Sequence, residues 1–115
     1  MEIRIVRDAI PRAELSKIAS AEFGDIIKAV VDIRQEIMAI GGELHADEEA
    51  ILAEECEAKR EDVWGINLYP KKNGDDWIEF DSMINLKPQQ GNRSRNVEDS
   101  AVREKIAEII KKLVH

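Results

Sequence analysis

The polar segment at residues 85–96 holds the side chains of this sequence that are best suited to gripping a charged ligand. It combines side-chain amides, a hydroxyl and two guanidinium groups with a glycine, and it runs into the acidic start of a helix. Arginine can hold a phosphate or carboxylate through two parallel hydrogen bonds. We therefore predict that an anionic, phosphate-bearing small molecule is bound by Asn67, Asn85, Lys87, Gln90, Asn92, Arg93, Ser94 and Arg95.

A purely structural role for the same segment remains open. Asparagine and glycine favour turns, and surface arginines often do no more than pair with nearby acids. Neither of the common phosphate motifs, G-x-x-x-x-G-K-[ST] and G-x-G-x-x-G, occurs in the chain. The segment is therefore either an anion-binding loop or a loop held together by turns and ion pairs.

His45 is the only candidate for acid–base chemistry, because the other histidine is the last residue of the sequence. Its acidic neighbours are compatible with a raised pKa, a general-base role or metal binding. It lacks the His and Cys partners of a metal site, however, and the carboxylates that follow it suit the start of a helix. We predict no metal and no cofactor, and whether the protein is an enzyme stays open. A local structural role is the alternative for His45.

The elements around these residues follow from the hydrophobic pattern. Apolar residues alternate over 64–68 and again over 78–86, with a polar turn over 71–76 between them, which predicts a β-hairpin. If Ile78, Phe80, Ile84 and Leu86 face the core, the opposite face carries Trp77, Glu79, Asp81, Met83 and Asn85 beside Gly65, Asn67 and Tyr69.

The rest of the chain predicts one α+β domain over residues 1–115. We expect a strand at 3–6, a helix beginning at Pro11, a second helix opening near Asp47 and an amphipathic helix after Glu98. Residues 25–40 fit helical spacing as well, but their alternation and β-branched content favour a hairpin. The predicted fold is a mostly antiparallel sheet of about five strands with three helices, in the order β-α-β-β-α-β-β-α.

The charge of the chain is unevenly distributed. The net charge is −7, and residues 43–62 hold nine acids against Lys59 and Arg60. The sequence pI of about 4.9 argues against general binding to nucleic acid. A second function class is therefore a protein-interaction or regulatory module, toxin–antitoxin-like or self-associating, in which the acidic segment and the basic loop are complementary.

The sequence also bears on where the protein works. Cys56 is the only cysteine, so no intrachain disulfide can form. The first residues do not resemble a secretory signal, and no segment approaches the roughly 20 apolar residues of a membrane span. We predict a cytoplasmic protein that does not contact membranes.

Three pieces of the sequence together suggest a family. They are the runs at residues 39–47, 64–70 and 84–99, the last containing Asn92-Arg93-Ser94. In these runs the chain resembles a small prokaryotic family described as a domain of unknown function. Lys87 and Ser100 stand where the pattern leads us to expect arginine and proline. The resemblance implies a prokaryotic cytoplasmic origin, and it implies no activity, cofactor or catalytic residue.

Overall fold

A computed structural model describes residues 2–22 and 24–115 of the chain. Its strands and helices are β1 (Arg4–Val6), α1 (Arg12–Glu22), β2 (Ile27–Asp32), β3 (Ile37–Ile40), α2 (His45–Cys56), β4 (Val63–Leu68), β5 (Ile78–Glu79) and α3 (Ser100–Leu113). The strands form one antiparallel sheet in the order β1-β3-β2-β4-β5. The predicted α+β fold and the order of its elements are confirmed.

The hairpin at residues 25–40 is confirmed, and the alternative helix is wrong. β2 and β3 pair from Ala29 opposite Ile40 to Asp32 opposite Ile37. Oδ1 of Asp32 accepts hydrogen bonds from the backbone amides of Arg34 (2.9 Å) and Gln35 (3.1 Å), which fixes the turn between the strands. Because the sheet is covered on both sides, both faces of these strands carry apolar residues. Some of these residues therefore also match the spacing of a helix.

Two hydrophobic cores cover the two faces of the sheet. On one face, α1 and α3 pack through Leu15, Ile106 and Ile110 against the sheet. On the other face, α2 packs through Leu52, and Ile84, which directly precedes the polar segment, lies in the same smaller core. The segment at 82–96 is therefore part of the layer that covers the second face.

The second hairpin is shorter than the alternation predicts. β5 pairs with β4 only at Ile78 and Glu79, and the chain then turns at Ser82, whose hydroxyl accepts a hydrogen bond from the amide of Ile84 (3.3 Å). Because the strand ends there, Ile84 packs in the core on the α2 side rather than beside Ile78. Trp77 precedes the strand in a 3-10 turn and is buried in the larger core, so its predicted place on the opposite face is wrong.

Candidate functional site

A cleft of about 480 Å³ opens where the start of α2 meets β2, β4 and residues 79–84. Polar and charged side chains from five separate parts of the sequence line it. They are Lys28, His45, Asn67, Glu79, Asp81, Ser82 and Arg95. The cleft therefore brings His45 together with Asn67 and Arg95, which the sequence analysis had placed in a separate ligand-binding set.

His45 is the first residue of α2 and is buried against β4. Its Nε2 lies 2.8 Å from the carbonyl oxygen of Ile66, and a carbonyl oxygen can only accept, so Nε2 carries the proton. Burial lowers the pKa of His45, although the Ile66 carbonyl and the Asn67 side chain act in the opposite direction. The expectation of a raised pKa is therefore wrong. The ring is neutral at pH 7, and its Nδ1 is left as a hydrogen-bond acceptor.

Asn67 supplies a second acceptor to the cleft. Its Nδ2 donates to Oε1 of Glu79 (2.9 Å) and to the carbonyl oxygen of Asp81 (3.3 Å). These two bonds fix the orientation of the amide, and within the described part of the chain its buried Oδ1 has no partner. Glu79 also accepts a hydrogen bond from the hydroxyl of Tyr69 (3.0 Å).

Lys28 is a charged cleft residue that the sequence analysis missed. It lies opposite Asn67 in the register of β2 and β4 and is partly buried, and it makes no ion pair with any residue that the structure describes. The positive charge of Lys28 contributes to lowering the pKa of His45. A lysine inside the otherwise apolar run of β2 was the signal that could have identified it.

Arg95 lies at the opening of the cleft with its side chain largely exposed. Its Nε donates to Oδ1 of Asp81 at 2.7 Å, and this ion pair places the guanidinium beside the cleft. Only Nε takes part in this ion pair, so the N–H groups of the two terminal guanidinium nitrogens can still donate hydrogen bonds to a ligand.

The buried asparagines of the polar segment bind the backbone of the protein itself. Oδ1 of Asn85 accepts from the amide of Gly65 (2.8 Å), while its Nδ2 donates to the carbonyl oxygens of Gly65 (3.0 Å) and Arg95 (2.9 Å). A side chain at residue 65 would collide with Ser82, since an added Cβ would lie 2.4 Å from its Oγ. The glycine therefore lets the polar segment lie directly on β4.

Asn92 closes the same segment on itself. Its Nδ2 donates to the carbonyl oxygens of Asn85 (2.7 Å), Asn96 (2.7 Å) and Ser94 (3.1 Å), and its Oδ1 accepts from the amide of Glu98 (2.8 Å). The amide of Asn92 is fully engaged within the fold, and it links the loop to the start of α3.

Lys87 is buried beneath this loop. Its Nζ donates to the carbonyl oxygen of Val63 (2.5 Å) and lies 3.8 Å from the centre of the Trp64 ring. Burial, together with a smaller effect of the nearby charge of Arg60, lowers the pKa of Lys87 to about 8. This lysine stabilises the contact between the loop and β4 and does not line the cleft.

The remaining predicted ligand residues lie towards the surface of the loop. Gln90 donates to the carbonyl oxygen of Glu61 (3.1 Å), and the hydroxyl of Ser94 donates to Glu98 (2.8 Å). The backbone amide of Arg93 also donates to Glu98 (2.8 Å), and its side chain is exposed. A ligand contact by these three residues stays a prediction.

Neither a metal centre nor a membrane-spanning helix is formed by the residues that the structure describes. No group of three or more His, Cys, Asp and Glu side chains is arranged to hold a metal ion over residues 2–22 and 24–115. Within the same ranges, no helix combines the length and the apolar character that a bilayer span requires.

The fold and the site define an α+β protein with an antiparallel sheet covered on both faces and a polar cleft beside its central strands. The chain belongs to the family described as Protein of unknown function (DUF5674), whose model matches residues 4–113. The predicted membership of a family of unknown function is thereby confirmed. No curated protein and no solved structure shows a significant match to the chain.

Proposed function

We propose that this protein binds a small molecule carrying a phosphate or carboxylate in the cleft, with Lys28 and Arg95 as its anion contacts. The observation that carries the proposal is the partly buried Lys28, which has no ion-pair partner among the described residues. An anionic ligand in the cleft would supply the counter-ion that Lys28 does not have among the described residues.

Among the described residues, no acid near Lys28 forms an ion pair with it. Glu79 already accepts from Asn67 and Tyr69, and Asp81 is paired with Arg95. Glu48, whose pKa is influenced by Lys28, is protonated at pH 7 because burial raises that pKa to about 9. The positive charge of Lys28 and the free donors of Arg95 are therefore available to the anionic group of a ligand, and the acceptors of His45 and Asn67 would bind only a hydrogen-bond donor elsewhere on the ligand.

A thermal-shift screen with orthophosphate, sugar phosphates, nucleotides and carboxylates tests the proposal. A ligand at 100 times its Kd stabilises the folded state by about 2.7 kcal/mol, which raises the Tm of a domain of this size by several degrees. We expect Lys28→Gln and Arg95→Gln each to weaken binding of the best ligand by about tenfold or more, since each removes a charged hydrogen-bond donor.

Arg93→Gln is the matched control, because it removes the same charge from the same loop outside the cleft. We expect it to bind like the wild type. Binding that is lost in Arg93→Gln and kept in the other two variants would move the site to the surface of the loop. No shift with any anion would reject the proposal and favour the protein-interaction module, which uses the acidic segment at 43–62.

A further inference from the structure

The opening of the cleft carries exposed apolar side chains beside the guanidinium of Arg95. Leu44 and Met83 are the large hydrophobic residues that the described chain exposes, at 58% and 63% of their surface, and both line the cleft. Ile26 and Ile84 add to this apolar lining. Single exposed hydrophobic residues are common, but here the two lie at the rim of one cleft whose interior carries Lys28.

Leucine is also unfavourable at position 44, because it lies at the start of α2 and cannot cap the helix. It is the N-cap of α2, where serine, threonine, aspartate or asparagine would accept a hydrogen bond from a free helix amide. Leu44 provides no such bond. A residue that leaves a helix uncapped and exposes its own apolar surface conflicts with local preference twice, and such conflicts are typical of functional positions.

We infer that the ligand is an amphipathic anion, with its charged group at Lys28 and Arg95 and an aliphatic or aromatic body between Leu44 and Met83. The inference rests on the proposed function and adds the class of ligand. Charge and apolar surface lie in the same cleft, so one small molecule can satisfy both. A purely polar anion would leave Leu44 and Met83 exposed to water.

Two homologous series test this inference by isothermal titration calorimetry on the full chain. One runs from acetate through butyrate to hexanoate, and the other contains the n-alkyl phosphates of matching length beside orthophosphate. We expect affinity to rise about fourfold for each methylene that the rim buries. The matching 1-alkanols, which lack the charge, serve as the control and should bind at least about tenfold more weakly than the anions.

The variants separate the two parts of the site. Leu44→Ser and Met83→Ser should flatten the dependence on chain length and leave the affinity for acetate or orthophosphate unchanged. Arg95→Gln should weaken every member of a series equally and keep the dependence on length. Anions that bind with no dependence on chain length would overturn the inference and leave the proposed function standing. A complete absence of binding in both series would overturn both.

Discussion

At the scale of single residues, Glu48 is the clearest case of an ionisable group held in an unfavourable place. It is fully buried beneath Gly42, whose amide donates to its Oε2 at 2.9 Å. Its Oε1 has no partner among the described residues. Burial raises the pKa to about 9, so the carboxyl stays protonated in the folded protein at pH 7.

We expect Glu48 to make the protein less stable as the pH rises. Between pH 4.5 and about 9 the unfolded chain releases this proton and the folded protein keeps it, so the free energy of unfolding falls with pH. The slope from one such group is at most about 1.4 kcal/mol per pH unit. Glu48→Gln should remove this slope and be more stable than the wild type at pH 8.

Urea unfolding at pH 5, 6.5 and 8 measures this effect. Glu49→Gln is the control, since Glu49 forms an ion pair with Arg60. We expect this variant to keep the wild-type dependence of the free energy of unfolding on pH. The assignment would be contradicted if Glu48→Gln showed the same dependence on pH as the wild type.

At the scale of elements, the start of α2 should be open to stabilisation. Leu44→Ser supplies the missing cap, and we expect the free energy of unfolding to rise by about 1 kcal/mol. Leu44→Ala shortens the same side chain without adding an acceptor, so it should give no such gain. Thermal unfolding distinguishes them, and equal Tm values for the two variants would show that the cap is not limiting.

The loop at 82–96 should depend on Asn92 far more than on its exposed residues. Asn92→Ala leaves three carbonyl oxygens and the amide of Glu98 without their partner, which should cost about 3 kcal/mol. Gln90→Ala removes a single surface bond, and we expect a change of no more than about 0.5 kcal/mol. Comparable losses in chemical denaturation would refute the structural role of Asn92.

The sequence predicted the regular elements well, because alternation and helix-start residues are local signals. It could not predict where β5 ends, since that depends on the Ser82 hydroxyl and on Asn85 binding the backbone of Gly65, a contact between distant parts of the chain. The sequence also suggested that Asn85 and Asn92 bind a ligand. Their side chains instead form hydrogen bonds to backbone groups of the protein, and these contacts are set by the tertiary fold.

At the scale of the whole molecule, the candidate site is a product of the tertiary fold. Lys28 on β2, His45 on α2 and Asn67 on β4 are far apart in the sequence, and the sheet order places β2 beside β4. No local pattern contains this arrangement. The uneven distribution of charge along the sequence does not predict the cleft either, because the cleft contains two cations and two acids.

The most direct measurement is an amide NMR titration of the isotopically labelled protein with the best anion from the screen. We expect the largest shifts at Lys28, His45 and Asn67 and at residues 79–84, with smaller changes over 88–94. Shifts confined to residues 88–94 would place the ligand on the surface of the loop and contradict the assignment of the cleft as the binding site.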